Sequence, residues 1–120
     1  MKKTIVLGAS TKDFRYSKKA VCLLDDHGHE VIAIGNKKGK IRDIKVGTKM
    51  VIEANIDTIT MYLSPTLQVE YYDYILNQIL PKRIIMNPGT ENKELKTLAE
   101  EKGIEVIEHC TLIMLNRDIF

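Results

Sequence analysis

The sequence predicts an α/β protein: a single Rossmann-like, three-layer domain over residues 1–120, built on a five-stranded parallel sheet. Three observations predict this fold. Short apolar runs alternate along the chain with longer segments of helical periodicity. In the first run, Thr4–Leu7, apolar residues follow one another, which is typical of a parallel strand buried on both faces. The chain has 120 residues, 44% of them hydrophobic, which is enough for one core without disulfides or metals.

The first part of the chain contains a strand, a helix and a second strand. Thr4–Leu7 is an apolar run and is predicted as the first strand. Ser17 suits the N-cap of a helix that runs to about His27, where Gly28 ends it. Glu30–Ile34 is predicted as the second strand. This strand–helix–strand pattern predicts a right-handed crossover between two parallel strands.

The middle of the chain is less regular until a third central strand. Residues 35–56 show little periodicity, and Ile41–Val46 is expected to form an edge strand or an ordered loop. Thr58–Leu63 is predicted as the third strand, followed by a helix over residues 66–80 that Pro81 ends. That helix carries more apolar residues than one buried stripe needs, which predicts either a homodimer interface or a wide core-facing surface.

Two further strands and two helices complete the predicted fold. Arg83–Met86 is the fourth strand and Glu105–Ile107 the fifth, with a helix over Glu91–Lys102 between them. A turn at residues 87–90 precedes that helix, and Cys110–Leu115 is expected to form a last helical turn. Right-handed crossovers between the strands predict the sheet order 3-2-1-4-5.

The predicted topology collects four loops at one edge of the sheet. In open α/β sheets a ligand binds outside the carboxyl ends of the strands, where the strand order reverses. Residues 8–16, 35–40, 64–65 and 87–91 all fall there. The motifs with binding chemistry lie in these loops, so we expect them to form one site.

Two motifs in the loop after the first strand suit phosphate binding. Gly8-Ala9-Ser10 permits a sharp turn and a close approach to the backbone, and the helix that follows presents N–H groups to a diphosphate. Arg15-Tyr16-Ser17 closes the loop, and Arg15 suits a bidentate contact with phosphate. The G-x-G-x-x-G fingerprint of dinucleotide-binding proteins is absent. A plain strand-to-helix loop, in which Ser17 only caps the helix, is the alternative.

The end of the second strand carries lysines where an NAD-binding protein has an acid. The segment Gly35-Asn36-Lys37-Lys38-Gly39-Lys40 contains no Asp or Glu to hold a free ribose 2′-hydroxyl. Lysines at this position suit a phosphorylated ribose, with coenzyme A as the first candidate and NADP as the second. The same lysines also fit an ordinary solvated surface.

Two later loops complete the predicted site. Ser64-Pro65 either lines the path of an adenine or pantetheine group or only begins a helix. Asn87-Pro88-Gly89 belongs to a turn-rich segment, in which Asn87 and Gly89 are candidate ligand contacts.

Positive charge is concentrated in the first part of the chain. Residues 1–50 contain 12 Lys and Arg against 5 Asp and Glu, a net charge of +7. Residues 51–120 contain 6 against 11, a net charge of −5. A positive field of this kind would steer a polyanionic ligand, although solvated surface lysines explain it equally well. The total of +2 is too small to indicate nucleic acid as the partner.

No catalytic or metal-binding constellation is evident, so the sequence favours a binding module over an enzyme. The 3 histidines have no Cys or Ser partner at motif spacing, and no Cys/His spacing predicts zinc. No apolar run approaches the ~20 residues of a membrane span, and the N-terminus lacks the core of a signal peptide. We therefore expect no membrane association, reduced cysteines and a cytoplasmic protein.

The ordered set of motifs resembles one protein family. The matching positions are Gly8-Ala9-Ser10, Arg15-Tyr16-Ser17, Gly28-His29, Ser64-Pro65, Asn87-Pro88-Gly89-Thr90-Glu91-Asn92, Gly103 and Cys110. In this order they resemble the CoA-binding-domain proteins, small stand-alone relatives of the N-terminal domain of the succinyl-CoA synthetase alpha subunit. Many members have Asn-Pro after the second strand, where this chain has Gly35-Asn36-Lys37.

The resemblance implies a Rossmann-like fold and a coenzyme A site. By position it implies phosphate contacts from Gly8, Ser10 and Arg15, and further contacts with the coenzyme from Lys38, Ser64 and Pro65. The catalytic histidine of the synthetase lies in a domain outside the resemblance, so ligase activity is not implied. Two alternatives remain: an NADP-type reductase or sensor module, and a protein-interaction scaffold that has lost its ligand.

Overall fold

Strands and helices alternate along the chain in a computed structural model, which describes residues 1–120. The strands are β1 (Thr4–Leu7), β2 (Val31–Ile34), β3 (Gly39–Ile41), β4 (Ile44–Gly47), β5 (Thr58–Met61), β6 (Arg83–Met86) and β7 (Glu105–Glu108). The α-helices are α1 (Tyr16–Asp26), α2 (Pro65–Gln68), α3 (Lys93–Glu101) and α4 (Thr111–Asn116). A 3₁₀ turn (Val69–Tyr71) and a π-helical turn (Tyr74–Ile79) follow α2.

The sheet confirms the α/β prediction but has seven strands, in the order β3-β4-β2-β1-β5-β6-β7. All neighbouring strands are parallel except β3, which is antiparallel to β4. The predicted order 3-2-1-4-5 is wrong, because Thr58–Met61 pairs with β1 and not with β2. The place beside β2 is taken by β4. Only residues 35–43 separate β2 from β4, and β3 returns the chain within them, so no crossover helix is needed.

The reversal of strand order nevertheless remains beside β1. When β4 is counted as the third parallel strand, the parallel strands follow the doubly wound order 3-2-1-4-5-6. The carboxyl ends of β1 and β5 therefore flank the switch point. The sheet also separates the charge: β1 to β4, from the basic part of the sequence, lie on one side of this point, and β5 to β7 lie on the other.

Helices cover both faces of the sheet, which gives the three predicted layers. Strand β1 places Ile5 and Leu7 in one core and Val6 in the other, as its apolar run predicts. The helical residues of the first core are Tyr74, Ile75, Leu76, Ile79, Leu95 and Ala99. Those of the second core are Val21, Leu24 and Leu115, from α1 and α4. No helix of the protein is both long and apolar enough to cross a membrane.

The predicted helix over residues 66–80 is interrupted. It begins as α2, with Pro65 in its first turn, and passes through the 3₁₀ turn into the π turn. Four of the six residues of the π turn are buried, including Tyr74 and Ile79. These two residues are five positions apart, a separation that matches the i to i+5 hydrogen bonding of a π turn. Most of the apolar surplus in this segment therefore lies in the core.

A homodimer through residues 66–80 stays a prediction. It is supported by the apolar side chains of this segment that lie outside the core. Leu67 and Val69 are 52% and 57% exposed. We expect light scattering at ~100 μM to give the mass of a dimer, since useful interfaces hold well below that concentration. Val69→Asp should shift the measured mass towards that of the monomer, because the dimer interface would bury an unpaired carboxylate at a cost in free energy. A monomeric wild-type protein at this concentration would contradict the prediction.

Candidate ligand-binding cleft

A cleft of about 790 Å³ lies at the switch point of the sheet. Its lining comes from residues 8–12, 14–17, 34–37, 62–64, 67, 70–71 and 88–90. All four loops predicted to form one site therefore contribute to one cavity. They do so because β1, β2, β5 and β6 are parallel and end at the same edge of the sheet.

Most of the predicted site residues lie together in this cleft. Those that line it are Gly8, Ala9, Ser10, Arg15, Tyr16, Ser17, Asn36, Lys37, Ser64 and Gly89. Lys38, Pro65 and Asn87 are not among its lining residues. Whether each lining residue contacts a ligand stays a prediction.

Glycines let the loop after β1 pack tightly against its neighbours. Gly8 has a φ of +96°, and a Cβ there would lie 3.0 Å from the carbonyl carbon of Tyr62. Gly35 is more constrained, because a Cβ there would lie 2.1 Å from the carbonyl oxygen of Ala9. The ends of β1, β2 and β5 therefore meet closely at the floor of the cleft, and positions 8 and 35 have no room for a side chain.

The backbone of the loop after β1 is already hydrogen-bonded within the protein. The N–H groups of Gly8 and Ala9 both donate to the carbonyl oxygen of Ile34, at 2.8 and 2.9 Å. The Ser10 N–H donates to Ser17 Oγ at 3.1 Å. This loop is therefore a preformed support, and its first three N–H groups are occupied before any ligand arrives.

The N-terminus of α1 has no side-chain cap. Ser17 is the second residue of the helix and is buried, so its prediction as the N-cap is wrong. The cap position belongs to Arg15, which makes no capping hydrogen bond. Ser17 instead accepts the Ser10 N–H and ties the loop to the helix. The first turn of α1 thus presents uncapped N–H groups, with the partial positive charge of the helix dipole, beside the cleft.

Three basic side chains line the cleft, all from the loops after β1 and β2. They are Lys12, Arg15 and Lys37. Lys12 Nζ and the Arg15 guanidinium lie 6.0 and 5.3 Å from the centre of the Phe14 ring. Phe14 and Tyr16 are 71% and 67% exposed, so this wall offers aromatic faces beside its cations.

The opposite wall of the cleft is apolar and acidic. Leu67, Glu70 and Tyr71 line it from α2 and the 3₁₀ turn that follows. Burial, together with the neighbouring Glu70 carboxylate, raises the pKa of the Tyr71 phenol. From the sequence, the apolar residues of this segment are assigned to a dimer interface or the core, because an apolar side chain in a helical segment shows the same pattern whether it faces a partner or a ligand.

Asn87 lies beneath the cleft and holds it together. Its side-chain amide donates to Thr60 Oγ1 and to the Met61 carbonyl oxygen, both at 2.8 Å. Its Oδ1 accepts the Thr111 N–H at 2.8 Å. The residue is buried, so the side chain joins β5, β6 and the start of α4 and does not line the cavity. In the sequence, an Asn before Pro-Gly is typical of both a turn and a ligand loop.

Tyr62 is a further lining residue that the sequence did not single out. Its hydroxyl is buried and has no hydrogen-bond partner, whereas the neighbouring hydroxyls of Thr60 and Thr111 bond to each other at 2.7 Å. Burial raises the pKa of Tyr62 to about 12. The ring thus serves as a neutral wall of the cleft near its floor.

Comparisons with solved structures find proteins with the same fold. An uncharacterized protein of known crystal structure is 43% identical, with a TM-score of 0.96 over 100% of this chain and 98% of its own. A hypothetical protein from Pyrococcus horikoshii OT3 is 24% identical, with a TM-score of 0.86 over 97% of this chain and 82% of its own. A conserved hypothetical protein from Pyrococcus furiosus is 20% identical, with a TM-score of 0.81 over 94% and 98%. The last two share the fold.

No protein of curated function matched the chain. The family described as "CoA binding domain" matches residues 2–116, which is nearly the whole sequence. This match confirms the resemblance seen in the ordered motifs. The protein is therefore a member of the CoA binding domain family.

Proposed function

We propose that this protein binds coenzyme A or an acyl-CoA in the cleft, as a binding or regulatory module and not as a catalyst. The observation that carries the proposal is the cationic wall of the cleft, where Lys12, Arg15 and Lys37 line the same cavity as the uncapped first turn of α1. Membership of the CoA binding domain family supports it. The absence of a nucleophile–base pair from the sequence motifs favours binding alone.

The cationic wall suits the phosphates of the coenzyme. A helix N-terminus and a guanidinium are a common pair of partners for a diphosphate. Lys37 follows β2, the strand after which a Rossmann-like protein contacts the ribose of its nucleotide. We assign Arg15 and the first turn of α1 to the diphosphate, and Lys37 to the ribose 3′-phosphate. The exposed rings of Phe14 and Tyr16 are available to the adenine.

Lys37→Ala should weaken the binding of coenzyme A about 5-fold, because one exposed ion pair is lost. The affinity for dephospho-coenzyme A should not change. The chain offers a matched control in Lys38→Ala, since Lys38 has the same charge but does not line the cleft. Isothermal titration of the three proteins with both ligands measures the difference. Equal losses for both ligands, or a larger loss from Lys38→Ala, would remove the 3′-phosphate assignment.

The same titration with NADP and NAD separates the alternatives. Coenzyme A should bind more tightly than either nucleotide, because the glycine fingerprint for a dinucleotide is absent. Selective binding of NADP would move the function to redox chemistry, with Lys37 at the 2′-phosphate. Binding of none of the three would leave a scaffold whose ligand is another protein.

A further inference from the structure

The two walls of the cleft carry opposite charge. Its three basic side chains all come from the loops after β1 and β2, on the basic side of the switch point. Its one acidic side chain, Glu70, comes from the helical segment after β5. A second carboxylate lies on the same side of the switch point, in the loop after β6, where Glu91 Oε1 accepts the N–H of the lining residue Gly89 at 2.8 Å. No basic side chain lines that side of the cleft.

This polarity orients a coenzyme A molecule, on the assumption of the proposed function. The phosphates are its charged end, and they belong at the wall with Lys12, Arg15 and Lys37. The pantetheine arm is uncharged and leads away from the phosphates to the thiol or thioester. It must then run towards the apolar wall, where Leu67 and Tyr71 lie next to Glu70. The acyl group therefore ends near a carboxylate.

We propose that Glu70 determines which acyl groups the protein accepts. It favours free coenzyme A and neutral acyl groups, and it disfavours acyl groups that end in a carboxylate. The physical reason is like-charge repulsion at a wall with no cation to offset it. Glu70 is solvent-exposed, so screening limits the effect to about 10-fold in affinity at low salt. The inference deepens the proposed function and rests on it.

The test compares two acyl groups of equal length that differ in a terminal carboxylate. Isothermal titration at pH 7.5 and low salt measures butyryl-CoA, succinyl-CoA and free coenzyme A against the whole protein. Wild type should bind butyryl-CoA about 10-fold more tightly than succinyl-CoA. Glu70→Gln keeps the shape of the side chain and should reduce that ratio to about 2-fold, with free coenzyme A unchanged. Glu100→Gln removes an exposed carboxylate from α3, outside the cleft, and should leave the ratio unchanged.

The outcomes separate this inference from the function on which it rests. If all three ligands bind and Glu70→Gln leaves the butyryl-to-succinyl ratio unchanged, the role of Glu70 is wrong and the proposed function stands. Tighter binding of succinyl-CoA by wild type overturns the inference in the same way. If no form of coenzyme A binds to a folded wild-type protein, the proposed function fails, and the acyl preference fails with it.

Discussion

Gly35→Ala is expected to lower the free energy of unfolding by about 3 kcal/mol and to abolish ligand binding in the cleft. The new Cβ would lie 2.1 Å from the Ala9 carbonyl oxygen, and neither partner is a flexible side chain that can move aside. The loop after β1 would have to shift, which strains the hydrogen bonds from Gly8 and Ala9 to Ile34. Urea denaturation measures the stability, and titration with coenzyme A measures the binding.

A matched control lies next to Gly35 in the sheet. Gly47 accepts the Gly35 N–H through its carbonyl oxygen, yet a Cβ at position 47 would meet nothing within 4 Å. Gly47→Ala should therefore change the free energy of unfolding by less than about 1 kcal/mol and leave binding intact. If Gly35→Ala were as stable as Gly47→Ala, the close approach of the β1 and β2 loops would not exist in solution.

Asn87→Ala is expected to lower the free energy of unfolding by about 3 kcal/mol. The substitution removes three buried hydrogen bonds at once and leaves the Met61 carbonyl and the Thr111 N–H without partners. Each unsatisfied buried group costs about 1–3 kcal/mol, with partial relief where water can enter. Because Asn87 holds β6 against β5 and α4, amide hydrogen exchange should also speed up at the start of α4.

Asn116→Ala provides the comparison for this second variant. Asn116 is an exposed residue at the end of α4. Its loss should change the free energy of unfolding by no more than about 0.5 kcal/mol. A stability of Asn87→Ala within that range would show that water replaces the network and that Asn87 does not hold the cleft together. Weakened coenzyme A binding with unchanged stability would instead restore Asn87 as a direct ligand contact.

Local patterns were sufficient for the central strands and for the place of the site. Residues 4–7, 58–61 and 83–86 form central strands that are buried on both faces, and each of these segments contains apolar residues that point to a strand. The edge strand β3 and its neighbour β4 carry a weaker signal, since polar residues such as Lys40 and Lys45 alternate with less exposed ones. Only their pairing in the sheet distinguishes them from an ordered loop.

Individual roles within the site depended on distances that no local pattern contains. Lys37 and Lys38 are identical in type and adjacent in sequence, yet only Lys37 lines the cleft. Ser17 has the residue type of a cap, but the helix begins one residue before it and its hydroxyl reaches Ser10. Glu70 is not predicted as a site residue from the sequence, because its position across the cleft from the basic side chains is set by the tertiary structure.

The sequence by itself determined an α/β fold, the edge of the sheet where a ligand would bind, and the family to which the protein belongs. These properties follow from hydrophobic periodicity, turn residues and the order of short motifs, all of which act between neighbours in the chain. The tertiary structure alone decided the strand order, the interruption of the helix after β5, and the opposite charge of the two cleft walls. These depend on which distant segments pack together, because long-range packing determines which side chains share a surface and which are buried.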